Sequence, residues 1–207
     1  MSDSNPFGSL GRFILVIIPE TPEHLDAVRQ LTIEAFAASP FGHNGEADLI
    51  DAIREQCAHT LSLVAIEEDR IVGHILFSPA EIHTLDANGV GPTVSGPDVL
   101  GPNMLGMGLA PMSVHPSHQR RGIGAMLVKE GLRRLDELGN RFTIVAGHPE
   151  YYPRFGFRPA QEFSVSHGFQ GMPQDVFFLR PGPSQDDEFS GGRAHYHSVF
   201  GPQHEGS

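Results

Sequence analysis

The chain has 207 residues, 39% hydrophobic and 19% charged, a globular composition with enough sequence to bury a sizeable core in one domain. A formal net charge of −11 argues against a nucleic-acid partner, since no surplus of Lys and Arg is present to neutralise phosphates; it agrees only weakly with a cationic acceptor, because solubility alone explains an acidic surface. One cysteine, Cys57, excludes an intramolecular disulfide framework and favours the cytoplasm, and no apolar run is long enough to cross a bilayer.

Residues 13–18 are a short β-rich run and read as a first strand; they lack the basic flank of a signal peptide and lead straight into Pro19. Thr21-Pro22 supplies an N-cap and a proline at the first helical position. Leu25, Val28, Thr32, Ala35 and Phe36 recur with helical spacing, which predicts an amphipathic helix over 22–37. The Ser-Pro-Phe-Gly-His-Asn-Gly stretch at 39–45 breaks it. A second helix over 46–57 puts Leu49, Ile50 and Ile53 on its buried side. Residues 61–66 and 71–77 are strands around the hairpin turn Glu67-Glu-Asp-Arg70, and a loop rich in Gly, Pro and Asn follows at 84–103.

An apolar strand over 105–114 ends at His115-Pro116. Gln119-Arg-Arg-Gly-Ile-Gly-Ala125 comes next and runs at once into a helical pattern. The first amides of a helix have no intrahelical partner, and the positive dipole end lies with them. Gly122 and Gly124 let the backbone close on a phosphate, and Arg120 and Arg121 add charge-assisted donors. The physical reading is a pyrophosphate seat, with a purely structural glycine-bearing helix start as the alternative. A P-loop would need Gly-Lys-Ser/Thr, and a dinucleotide fingerprint would need a third glycine where Leu127 stands.

Ile123, Leu127, Leu132 and Leu135 give this third helix its apolar side, and Gly139-Asn140 ends it. Residues 142–146 form a further strand. Residues 163–165 and 176–179 read as a last pair of strands, and 181–192 as an exposed linker to a short closing element that reaches to about 200. The expected organisation is one domain with a core over about 12–180. The twelve histidines predict no metal site: His195 and His197 would share a strand face, but no third ligand lies at a diagnostic spacing. This order of elements gives an α+β fold around a mixed, mostly antiparallel sheet flanked by helices.

The spelling of the phosphate seat, Gln-Arg-Arg-Gly-Ile-Gly-Ala after Val-His-Pro, resembles the acyl-coenzyme-A signature Gln/Arg-x-x-Gly-x-Gly/Ala of the GCN5-related N-acetyltransferases (GNAT). A second segment, His148-Pro-Glu-Tyr-Tyr-Pro-Arg-Phe-Gly-Phe-Arg158, resembles the Tyr-x-x-x-Gly-Phe motif of that family, with Tyr152 in the tyrosine position. Leu61-Ser-Leu-Val-Ala-Ile, Val72-Gly-His-Ile-Leu-Phe-Ser-Pro79 and Gly192-Arg-Ala-His-Tyr196…Phe200 are similar to the predicted bacterial N-acetyltransferases of the YhbS type, so the likeness spans roughly 12–200.

The resemblance implies a GNAT-like fold in which the strands at 105–114 and 142–146 splay apart to form an acyl-CoA cleft. It implies acetyl-CoA as cosubstrate, pantetheine against the backbone of Met112, Ser113 and Val114, and pyrophosphate on Arg120, Arg121, Gly122, Ile123, Gly124 and Ala125. It also implies that the Tyr152 hydroxyl protonates the departing thiolate, a role phenol chemistry permits. Packing is the alternative for Tyr152, and packing or substrate contact is the expectation for Tyr151.

The reaction expected is direct attack of a neutral amine, on a small molecule or a peptide, in a ternary complex, with amides near Val114 polarising the thioester carbonyl. Cys57 is expected to pack beside Ile53, not to carry an acyl group. Glu46 is the first candidate for the base and Glu34 the second. The alternatives are support of a helix N-terminus by Glu46 and proton removal by a water chain. A non-catalytic acyl-CoA-binding module, a hydroxyl acceptor and a longer acyl donor stand beside this reading. No motif encodes the acceptor or the oligomeric state, a homodimer being one option.

Overall fold

A computed structural model describes residues 14–37, 45–83, 104–169, 171–183 and 191–201. Phe13, residues 38–44 with most of the break expected at 39–45, the loop expected at 84–103, and residues 184–190 of the expected linker lie outside the described residues.

Strand β1 (Leu15–Pro19) is followed by a 3-10 turn (Pro22–His24) that feeds α1 (Leu25–Ala37), and α2 (Glu46–Gln56) comes next. The hairpin is β2 (Leu61–Glu67) and β3 (Arg70–His83). Then come β4 (Met104–Val114), α3 (Ile123–Glu137), β5 (Phe142–Ala146), β6 (Arg158–Pro159), β7 (Val165–His167), β8 (Phe177–Pro181) and β9 (Gly192–Tyr196). They join in one nine-stranded sheet of order β1-β2-β3-β4-β5-β8-β6, with β9 held between β3 and β7. All strand pairings but β4–β5 and β7–β9 are antiparallel.

Alternation along β3 sorts the helices onto opposite faces. Ile75 and Phe77 pack with Ile123, Leu127, Leu132 and Leu135 of α3, while Leu76 between them packs with Val28 of α1 and Ile50 and Ile53 of α2. Every residue named for the apolar side of α3 is buried. Gly131 stands where a Cβ would meet the Phe77 ring at 2.3 Å, so the helix lies close on the sheet. Helix α3 ends as its sequence predicts: Gly139 takes φ +74°, and the Asn140 amide donates to Leu135 O at 2.9 Å. Cys57 caps α2 and is buried with Ile53.

Several expectations are corrected. The strands near 163–165 and 176–179 do not pair with each other: β8 bonds β5 and β6, and β7 bonds β9, while Phe163 closes a 3-10 turn (Ala160–Phe163). The closing element is a sheet strand. β2 runs out opposite Phe77, and β9 takes over that edge of β3 opposite Ala80, Glu81, Ile82 and His83. His197 falls outside β9, where its ring accepts the Val199 amide. Leu25, counted on the buried stripe, is exposed because it opens α1 just beyond the 3-10 turn.

β4 and β5 are bonded only at Met107↔Thr143 and Gly108↔Ile144. Beyond those pairs β4 runs on to Val114 and the two strands part. β4 also bulges there. Ile75 pairs with Met112 and Phe77 with Leu109, which leaves Ala110 and Pro111 opposite Leu76. A proline, lacking an N–H, suits a point where the ladder is broken.

Candidate active site

The fork between β4 and β5 opens into a cleft of about 980 Å³ that passes from the α3 face of the sheet to the α1–α2 face. Its α3 end is made by the turn before the helix. Gly122 is the N-cap with φ +86°, a left-handed conformation that favours glycine, and the first intrahelical bond is Met126 N–H to Gly122 O at 3.0 Å. The amides of Ile123, Gly124 and Ala125 therefore precede the hydrogen-bonded ladder, at the positive end of a fifteen-residue helix. Gly122, Ile123, Gly124, Ala125 and Arg120 all line the cleft. A Cβ on Gly124 would stand 3.0 Å from the Tyr151 hydroxyl, inside the space available to a ligand.

Along the fork, β4 presents a free edge. The His115 amide donates to Val72 O at 3.0 Å, on the β3 side. Strand alternation then turns the backbone groups of Val114 and Met112 toward the opening and those of Ser113 toward β3. The Gln119 side-chain Nε2 donates to Val114 O at 3.1 Å, which fixes the start of the turn against the strand. Met112 and Val114 line the cleft. The Ser113 side chain is buried on the other face, 3.4 Å from the Thr32 hydroxyl.

Two tyrosines lie on the β5 side. Tyr152 is buried in the α3-side core, edge-on to Phe157, yet it reaches the cleft wall. Burial, with Tyr151 beside it, raises its phenol well above the ordinary value, so it keeps its proton at neutral pH. Tyr151 is half-buried, with the Arg154 guanidinium 4.2 Å above its ring.

A third tyrosine, Tyr196 of β9, closes the fork itself. Its hydroxyl donates to Ile144 O of β5 at 3.2 Å and lies 3.5 Å from Leu109 O of β4, serving carbonyls freed where the strands part. Gly108 makes room, since a Cβ there would meet the Tyr196 ring at 2.3 Å. Tyr196 stands within the segment 192–200, and nothing in that segment's sequence marks this role. The signal for it in the sequence is the glycine that its ring needs, Gly108, far away in the chain.

The far end of the cleft is lined by Phe36 at the end of α1, Glu46 and Leu49 at the start of α2, and Phe200 in the final 3-10 turn (Ser198–Phe200). Phe36 and Leu49 carried the helical periodicity of core residues; here they are partly buried and face the opening. Glu46 thus shares the cleft with Tyr152, whereas Glu34 is drawn outside it to His115 Nε2 at 3.1 Å. Arg121 is also turned away. Its guanidinium forks onto Glu67 at 2.7 and 3.0 Å, where His118 Nε2 lies 3.2 Å from the same carboxylate. Of the two arginines, Arg120 alone lines the cleft.

Away from the cleft, Ser62 Oγ sits 2.9 Å from His74 Nε2 and donates to Glu20 at 2.7 Å. This is not a hydrolytic triad: the carboxylate bonds the serine, and His74 Nδ1 has no hydrogen-bond partner among the described residues. Burial, and then the charge of Arg54, push the His74 imidazole down to about 3, so it is neutral. Among the described residues no group of His, Cys, Asp or Glu is arranged to hold a metal ion, and no helix is long and apolar enough to cross a membrane.

Residues 58–159 match the model of the acetyltransferase (GNAT) domain. The uncharacterized N-acetyltransferase YhbS of Escherichia coli K12 is 29% identical over 171 residues, 81% of this chain and 90% of that protein. The crystal structure of E. coli YhbS in complex with CoA has the same fold, with a TM-score of 0.72 at 24% identity and 96% of each chain covered. A GNAT family acetyltransferase from Brucella melitensis, solved in complex with acetyl-CoA, is 31% identical, with a TM-score of 0.67 over 92% of this chain and all of that one. With its forked β4–β5 cleft and that degree of identity, the chain belongs to the GNAT acetyltransferase family.

Proposed function

We propose that the protein is an acetyl-CoA-dependent N-acetyltransferase that passes the acetyl group directly to a primary amine within one ternary complex. The observation that carries this reading is the continuous cleft, which runs from the unladdered amides of α3, past Tyr152, to Glu46 on the opposite face of the sheet. The acetyl-CoA complex of the Brucella relative supports the choice of donor.

The residues present fit that ligand. The amides of Ile123, Gly124 and Ala125, with Arg120, would hold the pyrophosphate, because Gly124 keeps clear the space a side chain would fill. The outward backbone groups of Met112 and Val114 would bond the pantetheine amides, and the Val114 region would polarise the carbonyl. When bound, acetyl-CoA supplies an acyl thioester with sulfur as leaving group. The acceptor nitrogen forms the new bond to the acyl carbon as the carbon–sulfur bond breaks. Glu46, directly or through water, takes the proton the nitrogen must lose, and Tyr152 gives its phenolic proton to the sulfur. The Tyr152 phenol carries its proton at neutral pH and so has one to give. Cys57 is buried on the α1–α2 side, where burial raises its thiol pKa, which favours direct transfer over an acyl-enzyme. A single-domain, cytoplasmic protein is part of this proposal, resting on composition and the lone buried thiol.

Release of CoA thiol, measured with acetyl-CoA and a panel of primary amines across a range of pH, tests it. Turnover whose kcat/KM rises along a titrating limb is expected, with Glu46→Gln losing most activity near neutral pH and recovering in part where free amine is abundant. A stable Glu46→Gln protein with an unchanged pH profile would remove Glu46 from the base role. Acetyl-CoA binding without turnover of any amine would favour the binding-module reading.

A further inference from the structure

We infer that Glu67 is a positioning residue for acetyl-CoA: through Arg121 and His118 it sets the turn that seats the pyrophosphate, and Arg121 serves the seat by bonding Glu67, not by touching phosphate. This rests on the cosubstrate assigned above. Glu67 ends β2 and is buried, so its carboxylate needs partners. The hairpin beyond it turns on two left-handed residues, Glu68 at φ +49° and Asp69 at φ +60°, as a two-residue turn requires, and Glu67 pairs with Arg70 across it. The start of α3 lies on the same hairpin, since a Cβ on Gly73 of β3 would meet Ile123 at 2.9 Å.

One carboxylate ties down the turn at two points. Arg121 donates to Glu67 through Nη2 at 2.7 Å and Nη1 at 3.0 Å, and His118 Nε2 stands 3.2 Å from Oε2. Residues 118 and 121 bracket Gln119 and Arg120. Arg120 has φ +61°, a left-handed conformation that strains a residue with a Cβ and persists where its surroundings impose it. The fork on Glu67 supplies that constraint. It draws Arg121 off the cleft, while Arg120 lines the cleft beside Gly122, Ile123 and Gly124. There is an electrostatic part as well. Glu67 stands one side chain behind the cleft, because His118 both touches it and lines the opening. A bare carboxylate there would repel phosphate, and the Arg121 guanidinium offsets its charge.

A double-mutant cycle tests this by calorimetric titration of acetyl-CoA into the natural protein, Glu67→Gln, Arg121→Met and the protein carrying both, with thermal unfolding of each in the absence of ligand. Glu67→Gln keeps the shape and removes the charge. Each single change should weaken acetyl-CoA binding about tenfold, and the double change should be no weaker than the weaker single, because the two side chains act as one unit. In turnover, KM for acetyl-CoA should rise with kcat unchanged, a split that a general loss of stability would not produce. If Glu67→Gln does not fold, Glu67→Asp takes its place in the cycle with the same expected loss, since it keeps the charge but is too short to hold both partners. Unchanged or tighter binding by the Glu67 variant, or losses that multiply in the double variant, would mean that Arg121 meets phosphate independently of Glu67 and would overturn the inference. A natural protein that does not bind acetyl-CoA would instead overturn the cosubstrate reading, and the inference with it.

Discussion

At its α3 end the cleft is lined by one contiguous stretch, residues 118–125 without Arg121, whereas its far end draws Phe36 from α1, Glu46 and Leu49 from α2 and Phe200 from the last turn. The first is a backbone site. Its donors are mainly amides that any sequence has, and beyond Arg120 what the sequence must supply is a left-handed glycine and a missing Cβ. The second is a side-chain site, and its character depends on which residues the fold happens to bring together. Anion binding at a helix start can therefore be kept across a family by a short motif, while the far wall is free to vary with the acceptor.

The largest effect should appear where the two ends meet. Tyr152→Phe keeps the ring packed against Phe157 and removes the proton donor, so kcat should drop by about 10²–10⁴-fold with acetyl-CoA affinity nearly unchanged. Tyr151→Phe should be mild, because that hydroxyl faces the α3 end and not the fork. Steady-state kinetics of both variants decide between them, and equal losses would mean that neither ring is the specific acid.

The α1–α2 face, which carries the far wall, rests on the buried Ser62–His74–Glu20 group, and this makes it sensitive to acid. The folded pKa of His74 is lowered from 6.5 to about 3, so the unfolded chain takes up this proton first as pH falls. The stability due to neutral His74 is complete above pH 6.5. It is lost through the window down to about 3, at up to about 1.4 kcal/mol per pH unit. Urea unfolding between about pH 4 and 7 should show that slope, and His74→Gln, which does not titrate, should reduce it. Equal slopes in the two proteins would remove His74 as the source.

A smaller effect belongs to the wedge. Tyr196→Phe strands the carbonyls of Ile144 and Leu109 at the base of the fork and should cost about 1–3 kcal/mol of stability. Thermal or urea unfolding checks this, and a variant as stable as the natural protein would show that the hydroxyl holds neither strand.

What the sequence reveals follows the same division. Gly122, Gly124 and the apolar side of α3 are readable because their causes are local: a dihedral angle, a clearance, a period of 3.6 residues. Phe36 and Leu49 carry the same periodicity as Val28 and Ile53, and nothing local marks that the former face a cleft and the latter a core. Arg120 and Arg121 are equivalent in sequence. Glu67, which takes Arg121 out of the cleft, arrives through the β2–β3 hairpin from 54 residues away. The same limit explains the strands at 165–167 and 177–181. β-rich composition predicts that they are strands, while their partners are set by long-range packing around β9 and β5.

The claim on which the rest depends is that the turn from Arg120 to Ala125 seats the pyrophosphate of acetyl-CoA. Calorimetric titration of acetyl-CoA into the natural protein and into Gly124→Glu tests it most directly, with thermal unfolding of both to confirm the fold. The account predicts saturable binding by the natural protein and none by the variant, because a carboxylate would occupy the phosphate volume with like charge. A folded Gly124→Glu protein that binds acetyl-CoA with unchanged affinity would contradict it.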